Sequence, residues 1–380
     1  MELILEHLFN LLVFLILYPY IIYPMILFIL SLIFGKNPEI GEELPKVSLV
    51  ISAYNEEKII EAKIKNSLEL DYPRDKLEII IASESNDSTN QIVKGYQGLT
   101  LFAYSDREGK AATLYRVIPK CSGEIIILSD ANGIYELDAI KKLVRNFKDK
   151  KVGCVSGRMK YVNPNDTSIG KGESIYWNYE FIIKTLSSRL QSLLGANGCI
   201  FAFRKEAWLP LSRFRGDDFE LPISAAINGY KVILEPSAIA YEEVTDTFNQ
   251  EFKRKVRMMS WNFISALMLL NQAIKKGKSF IAFQLISHKI LRWLAPFFLI
   301  ALLITNIIII NNSWIYLFTL LCQTGFYISA IIGLLIDKLT SDKLPKIILI
   351  PYYYCMTNYA SLIAIIRSIF KEDRTWEKNR

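Results

Sequence analysis

Long apolar runs enclose a middle region in which apolar and polar positions alternate. The runs without a charged residue lie at 8–34, 294–310, 314–336 and 347–366. Runs of this kind are typical of helices that cross the hydrocarbon core of a bilayer. The sequence therefore predicts an N-terminal transmembrane helix within 1–40, which Pro19 and Pro24 kink rather than divide, and a C-terminal transmembrane region over 294–368.

The middle region alternates short apolar runs with segments of helical spacing. Runs at 46–53 and 77–82, and a third that ends at Asp130, stop at polar clusters. Short continuous apolar runs are typical of strands that are buried on both faces of a parallel sheet. This alternation predicts an α/β domain over 45–265 with a Rossmann-like, mostly parallel sheet.

Polar side chains follow each of the first three predicted strands. They are Ser52, Tyr54 and Glu56, then Glu84, then Asp130 and Asn132. Open α/β sheets bind ligands at the carboxyl ends of their strands, so these clusters predict one shared site. Their oxygens suit a hard divalent cation that bridges phosphates, although each residue could instead cap a helix. Lys110 follows Gly109 at a predicted helix start, where its charge could hold a phosphate.

Two later motifs add candidates to this site. A loop of small residues contains Asn197 and Gly198, and Asp217 and Asp218 begin another predicted helix. Adjacent carboxylates repel each other, and a helix N-terminus offsets only part of that repulsion. Capping therefore does not explain both aspartates. A carboxylate beside a metal–diphosphate site is the expected general base for activating a hydroxyl.

The charge distribution indicates a membrane protein. The net charge is +7, and much of the basic excess flanks the apolar runs without an aromatic–basic array that would indicate nucleic-acid binding. The bias predicts a multi-pass integral membrane protein that contacts lipid, with its middle domain in the cytoplasm. Four spans would place the C-terminus outside, whereas the basic tail over 369–380 favours the inside, so the topology of the last segment stays open.

A basic amphipathic stretch precedes the C-terminal transmembrane region. The segment 275–293 carries His288, Lys289 and Arg292 among apolar residues, which predicts a helix that lies in the headgroup layer. The chain has five cysteines without metal-type spacing and two histidines near the predicted membrane surface. A metal site built on histidine or cysteine is therefore not expected.

Taken in order, these motifs resemble those of the membrane-embedded, inverting glycosyltransferases of family 2, whose nucleotide-sugar domain has the GT-A fold. The resemblance covers 45–263, and the apolar runs that follow fit synthase-like members such as cellulose, hyaluronan and poly-N-acetylglucosamine synthases. The segments that carry it are Ile51-Ser52-Ala53-Tyr54-Asn55-Glu56, Ser83-Glu84-Ser85-Asn86-Asp87-Ser88-Thr89, Gly109-Lys110-Ala111, Asp130-Ala131-Asn132, Gly195-Ala196-Asn197-Gly198, Asp217-Asp218 and Arg254-Lys255-Val256-Arg257-Met258.

The resemblance implies roles for these residues. Those implied to bind the nucleotide sugar are Ser52, Tyr54, Glu56, Glu84, Lys110, Asp130 and Arg257. Those implied to line the acceptor side are Asn197, Gly198 and Trp261. Asp218, beside Asp217, matches the family's catalytic base. Asp130 and Asn132 match its metal-binding pair, which implies Mg²⁺ or Mn²⁺ as the cofactor.

Two positions depart from the family's pattern. Glu84 stands where the family usually has the Asp that recognises uracil, and Asn132 replaces the second Asp of Asp-x-Asp. Because Asn132 is neutral, the predicted metal site has one anionic ligand fewer than the family's pattern. We therefore expect weaker metal binding, and an Asn132→Asp change is predicted to lower the metal concentration that activity requires.

The predicted function is transfer of a sugar, with inversion, from a UDP-sugar to a hydroxyl of a growing polysaccharide or glycan. A lipid-linked acceptor that receives a single sugar is an alternative within the same enzyme class. Outside that class, a non-catalytic membrane protein could bind nucleotide sugars, although the retained Asp218 argues against it. A transporter is not favoured, because the apolar runs contain neither charges nor repeats.

Overall fold

The structure, a computed structural model, describes residues 2–163, 167–208, 216–244, 247–339 and 343–370. Most of the predicted basic tail lies outside the described residues. In the described part, an α/β domain lies between apolar helices at the two ends of the chain, in the order that the hydrophobic pattern predicts.

The strands of the described residues form one eight-stranded sheet. In chain order they are β1 Val47–Ala53, β2 Leu77–Ser83, β3 Thr100–Ala103, β4 Ile125–Asp130, β5 Ile134–Tyr135, β6 Val152–Val162, β7 Phe201–Arg204 and β8 Lys231–Glu243. Their spatial order is β3-β2-β1-β4-β7-β6-β8-β5. The pairs β1–β2, β1–β4, β2–β3 and β6–β8 are parallel, whereas β7 and β5 run antiparallel to their neighbours. The predicted mostly parallel fold is confirmed.

Helices cover the sheet and extend from both ends of the domain. The α-helices are α1 Glu2–Leu17, α2 Tyr23–Phe34, α3 Ile60–Glu69, α4 Thr89–Lys94, α5 Lys110–Val117, α6 Ala139–Val144, α7 Ser168–Arg189, α8 Asp217–Ile227, α9 Phe248–Lys275, α10 Ser279–Gln284, α11 Leu291–Ile308, α12 Trp314–Leu339 and α13 Lys346–Phe370. Short 3-10 turns cover Arg74–Lys76, Ile118–Lys120, Arg145–Lys148 and Lys205–Ala207.

The central strands are buried on both faces, as their continuous apolar runs predict. Val50 and Ile126 pack on one face of the sheet with side chains from α8 and α9. Leu49 and Ile127, their neighbours in sequence, pack on the other face with side chains from α3 and α6. Successive side chains of a strand point to opposite faces, so a strand covered by helices on both sides needs apolar residues at every position.

The N-terminal apolar run forms one helical stretch over Glu2–Phe34, which is long and apolar enough to cross a membrane. Its two parts, α1 and α2, join through a π-helical turn over Tyr18–Ile22 that contains Pro19. Proline lacks the backbone donor of a regular helix, and a wider turn accommodates that loss. The proline thus interrupts the regular α-helix without dividing the stretch.

Three further stretches in the described residues are long and apolar enough to cross a membrane: Ser279–Ile308, Trp314–Leu339 and Lys346–Phe370. The structure does not separate the predicted segment 275–293 from the first of them. There α10 continues through a π-helical turn, Leu285–Ile290, directly into α11. Placement of this segment in the headgroup layer stays a prediction.

The last helix, α13, differs from the other apolar helices because protein covers much of it. In the most apolar 18-residue stretch of α13, 50% is buried inside the protein, compared with 11% in the corresponding stretch of α12. It packs against α9 and α12, and both Pro351 and Asn358 are buried. Contacts with α9 therefore connect the C-terminal apolar region to the α/β domain.

Candidate active site

The carboxyl ends of β1, β2 and β4 lie side by side at one edge of the sheet. The register pairs Ser52 of β1 with Asp130 of β4, and Ala53 of β1 with Ser83 of β2. The polar segments that follow these strands are therefore neighbours. Ligands of open α/β sheets bind at such an edge, which makes it the candidate site.

Lys110 is the cation around which acidic residues gather at this edge. Its Nζ atom lies 2.7 Å from Oδ1 of Asp130 and 3.2 Å from Oδ2 of Asp217. Asp130 ends β4 and Asp217 begins α8, so Lys110 connects two segments that are distant in sequence. Gly109, with φ of 93°, lets the chain turn sharply into α5 just before Lys110.

Gly198 leaves room for two carboxylates to approach each other. A Cβ atom at this position would lie 3.3 Å from Oδ2 of Asp218 and 3.5 Å from Oδ2 of Asp130. The other oxygen of Asp130 faces Lys110. The carboxylates of β4 and of the α8 N-terminus thus converge on one small region beside Lys110.

Crowding and burial change the proton affinities at this site. Burial and the neighbouring Asp217 carboxylate raise the pKa of Asp218 to about 6. Burial also raises the pKa of Asp217. Although burial opposes its charge, the carboxylates of Asp130 and Asp217 hold the pKa of Lys110 above its usual range. A carboxylate with a pKa near 6 suits a general base better than an ordinary surface aspartate does.

A Gly198→Ala change is expected to lower turnover by about 10- to 100-fold, because the added methyl group would shift the carboxylates of Asp130 and Asp218, the predicted metal ligand and the predicted base. Folding should change little, since the nearest atoms are side-chain ends that can shift slightly. Steady-state turnover and thermal unfolding measure the two effects. Gly325→Ala is the control, because a Cβ there meets no described atom within 4 Å. Normal turnover in Gly198→Ala would contradict a role for this space.

Glu84 supports the turn that presents Lys110. Its carboxylate is nearly buried and accepts hydrogen bonds from the Gly109 N–H at 2.8 Å and the Thr113 hydroxyl at 2.6 Å. The Glu108 N–H donates to it at 3.3 Å. Glu84 therefore fixes the start of α5, a positioning role that its sequence motif did not indicate. Its contact with uracil stays a prediction.

The other residues predicted to bind the nucleotide sugar lie at or beside the strand ends. The Tyr54 ring is buried, and the guanidinium of Arg107 lies 4.7 Å from its centroid. Ser52 Oγ is buried and has no hydrogen-bond partner within the described residues. Glu56 lies in the turn before α3, where its N–H donates to Thr89 Oγ1 at 2.9 Å. Arg107 is a neighbour of Tyr54 that sequence reasoning missed.

The turn after β4 is held from two sides. Nδ2 of Asn132 donates to Oε1 of Glu242 on β8 at 2.8 Å. On the other side, Lys63 of α3 donates to the Gly133 carbonyl, and its ammonium lies 4.0 Å from the centroid of the Tyr135 ring. Lys63 and Glu242 belong to no predicted motif, because each meets this turn only through the folding of the sheet.

Asn197 lies beside the site and makes hydrogen bonds within the protein. Its side chain donates to the Gly157 carbonyl and accepts from Nζ of Lys184, and its N–H donates to Ser156 Oγ at 3.0 Å. Burial and the nearby Lys289 ammonium lower the pKa of Lys184 to about 8. Asn197 thus holds the glycine-containing loop, and its direct contact with an acceptor stays a prediction.

Arg257 and Trp261 pack against each other on α9, with the guanidinium 5.8 Å from the ring centroid. A cavity, described below, lies next to Asp218. Met258 and Asn262 of α9 line this cavity, whereas Arg257 and Trp261 are not among the described residues that line it. Oδ1 of Asn262 lies close to Gly216, next to the α8 N-terminus. Sequence reasoning missed Asn262, and the roles of Arg257 and Trp261 stay predictions.

A cavity of about 440 Å³ extends from Asp218 towards the apolar helices. Its walls come from α7, α9, α13 and the segment around Lys289. Aromatic side chains are prominent in these walls, among them Tyr176, Trp177 and Tyr353. The cavity therefore connects the candidate base with the apolar helices at the C-terminal end of the chain.

Buried ion pairs fix the walls of this cavity. Arg254 of α9 pairs with Glu251 of the same helix and with Glu173 of α7. Glu180 of α7 pairs with Arg292, which lies in the first turn of α11 and belongs to the predicted headgroup segment. Removing one partner of a buried pair leaves an uncompensated charge, so these pairs tie α7 firmly to α9 and α11.

The acidic edge has a donor set that fits one divalent cation shared with a ligand. Among the described residues, no three His, Cys, Asp or Glu side chains form a complete metal site. Mg²⁺ is commonly held by one or two carboxylates together with substrate phosphates, so an open site is sufficient. Asp130 and Asn132 offer oxygens at the sheet edge, and Lys110 is one cation among several carboxylates there. The residues present therefore fit an open cation site.

Comparisons with known proteins identify the relatives of this chain. The chain is similar to the probable glycosyltransferase YdaM of Bacillus subtilis, with 25% identity over 375 residues, 89% of this chain and 87% of YdaM. It is also similar to the poly-beta-1,6-N-acetyl-D-glucosamine synthase of Staphylococcus aureus, with 30% identity over 237 residues. That alignment covers 59% of this chain and spans only 56% of the synthase.

A solved structure shares the fold over nearly the whole chain. It is the mannosyltransferase PcManGT from Pyrobaculum calidifontis in complex with GDP-Man and Mn²⁺, with a TM-score of 0.73 and 20% identity over 97% of this chain and 100% of that one. Residues 45–260 match the family model described as "Glycosyltransferase like family 2". The predicted family and GT-A fold are thereby confirmed: this protein belongs to glycosyltransferase family 2 and is a nucleotide-sugar-dependent glycosyltransferase.

Proposed function

We propose that this glycosyltransferase transfers a sugar from a UDP-sugar to an acceptor hydroxyl with inversion at the anomeric carbon. The convergence of Asp130 and Asp218 over Gly198, next to Lys110, is the observation that carries the proposal. A direct displacement needs a base for the incoming hydroxyl and charge stabilisation for the departing diphosphate. These residues supply both without a covalent intermediate.

Each residue has one part in this reaction. Asp218 accepts the proton of the acceptor hydroxyl as that oxygen attacks the anomeric carbon. Lys110, held by Asp130 and Asp217, places a positive charge next to the diphosphate. Glu84 keeps Lys110 in place through its bond to the Gly109 N–H. The donor side and the acceptor side thus meet at the carboxyl ends of the strands.

Mg²⁺ or Mn²⁺ is the cofactor that we propose for Asp130 and Asn132. When bound, such a cation neutralises charge that develops on the leaving diphosphate. The mannosyltransferase of the same fold is solved with GDP-Man and Mn²⁺, which supports a divalent cation in this family. The carboxylate of Asp130 and the amide oxygen of Asn132 would face that cation from the end of β4.

The cavity next to Asp218 supports an acceptor that approaches from the membrane side. Trp177 and Tyr353 offer flat apolar faces against which sugar rings can pack. We therefore propose a growing polysaccharide or glycan as the acceptor, with the domain on the cytoplasmic side. A lipid-linked acceptor that receives one sugar is the second candidate, because the cavity also reaches α13 and the segment that leads into α11.

Turnover is expected to rise with pH through about 6, because Asp218 acts as a base only when it is ionised and its pKa is raised to about 6. Below that value kcat/KM should fall about tenfold for each pH unit, as for a single essential base. The measurement is kcat/KM for the acceptor between about pH 5 and pH 8 at saturating metal. A flat profile across this range would contradict Asp218 as the base.

The experiment that tests the proposed function uses the full chain in lipid nanodiscs. The purified protein is incubated with a panel of UDP-sugars and GDP-mannose, and the products are analysed by mass spectrometry. We expect UDP release together with products that grow by repeated hexose-type increments. A single increment on a lipid would favour the second candidate. Turnover with GDP-mannose but with no UDP-sugar would contradict the proposed donor.

A further inference from the structure

Asn132 is hydrogen-bonded to a carboxylate that no sequence motif contains. Its Nδ2 atom donates to Oε1 of Glu242 at 2.8 Å, although the two residues are 110 positions apart. Asn132 occupies the place of the second Asp in Asp-x-Asp. The negative charge that this place lacks is therefore present one hydrogen bond away, on the neighbouring side chain.

Backbone pairing fixes this contact. The short strand β5 runs antiparallel to β8, with Ile134 opposite Tyr241 and Tyr135 opposite Ala240. Continuing this register back towards β4 places Gly133 opposite Glu242, and the side chain of Asn132, one residue earlier, reaches the Glu242 carboxylate. The backbone pairing next to this contact therefore keeps Asn132 and Glu242 close to each other.

The contact also fixes the orientation of the Asn132 amide. An ionised carboxylate only accepts hydrogen bonds, so Asn132 must turn its NH₂ group, and not its carbonyl oxygen, towards Glu242. Oδ1 of Asn132 then remains the atom that can serve another partner. Partners of this kind, one step behind a metal ligand, orient the ligand and raise the negative charge around the metal.

We propose that Asn132 and Glu242 together replace the second carboxylate of Asp-x-Asp. Asn132 supplies the oxygen that faces the cation, and Glu242 is a positioning residue that orients the amide and supplies the charge. This inference rests on the proposed function, in which Asp130 and Asn132 hold the metal. It also changes the expectation for Asn132→Asp, since the new carboxylate would lie against that of Glu242 and be repelled by it.

The test measures Mn²⁺ binding to the full chain in nanodiscs with UDP present, using electron paramagnetic resonance of free Mn²⁺. Glu242→Gln is expected to weaken Mn²⁺ binding by about 10-fold or more. Asn132→Asp alone should not tighten it. The double variant Asn132→Asp/Glu242→Gln should restore binding to within about threefold of the wild type, because one carboxylate is again present. Glu243→Gln, at the exposed neighbouring position on β8, is the matched control.

Two results would overturn the inference. One is wild-type Mn²⁺ binding in Glu242→Gln, and the other is tighter binding in Asn132→Asp while Glu242 is present. If Glu242→Gln fails to fold, the Asn132→Asp variant still decides, because tightening there contradicts the pair. Asp130→Asn separates the two proposals. Wild-type Mn²⁺ binding in Asp130→Asn removes the proposed metal site itself, whereas loss of binding there with normal binding in Glu242→Gln removes only the role of Glu242.

Discussion

Asp218→Asn is expected to lower transfer by about 10²- to 10⁴-fold, the usual contribution of a positioned general base. The donor side of the site does not change in this variant, because Lys110 keeps its contacts with Asp130 and Asp217. Donor KM and UDP binding should therefore stay near wild-type values while kcat falls. Steady-state kinetics with varied donor, together with UDP binding by calorimetry, measure this separation.

The stability of Asp218→Asn should not decrease. Burial and Asp217 raise the pKa of Asp218, which means that its ionised form is disfavoured in the folded state relative to the unfolded chain. A neutral amide removes that unfavourable charge, so the unfolding temperature should stay equal or rise. Asp75→Asn, an exposed aspartate on the same domain, is the isosteric control. Near-normal kcat in Asp218→Asn would remove Asp218 from the base role.

Asp130→Asn is expected to impair the donor side of the site instead. The change removes the carboxylate that lies 2.7 Å from Lys110 and, in the proposed function, the anionic metal ligand. We expect a fall in kcat/KM on the order of 10²- to 10³-fold, comparable with the loss of one preorganised charge-stabilising group. Unlike Asp218→Asn, this variant should also show a raised donor KM and a raised metal requirement.

The comparison between the two variants is informative because their carboxylates are so close, both lying beside Gly198. General damage to the site would change kcat, donor KM and the metal requirement in the same way in both variants. The proposed division into donor and acceptor sides instead requires that donor KM change in Asp130→Asn alone. An unchanged metal requirement in Asp130→Asn would show that Asp130 does not hold the cation.

Local patterns were sufficient to predict three strands in the first half of the domain, although they missed the short strand β3. Strands β1, β2 and β4 are continuous apolar runs, and each delivers a polar residue to the sheet edge, so Asp130 could be located from its own strand. Lys110 was also predictable, because Gly109 marks the helix start that presents it. These signals need only a few neighbouring residues.

Contacts between distant segments could not be predicted in this way. β5 has only two residues, and its pairing with β8 brings Glu242 to Asn132 across 110 positions. Buried Glu180 of α7 pairs with Arg292 in the first turn of α11, 112 positions later in the sequence. Arg292 therefore resembled a headgroup-facing cation in the sequence, since its partner lies in a different helix.

The central claim is that one site, between Asp130 and Asp218, performs a direct displacement on a UDP-sugar. The most direct test is nuclear magnetic resonance of the product formed by the full chain in nanodiscs from a UDP-sugar of known α configuration. The account predicts a β linkage in the first product formed, with no glycosyl-enzyme intermediate in intact-protein mass spectra. A product that retains the α configuration would contradict it.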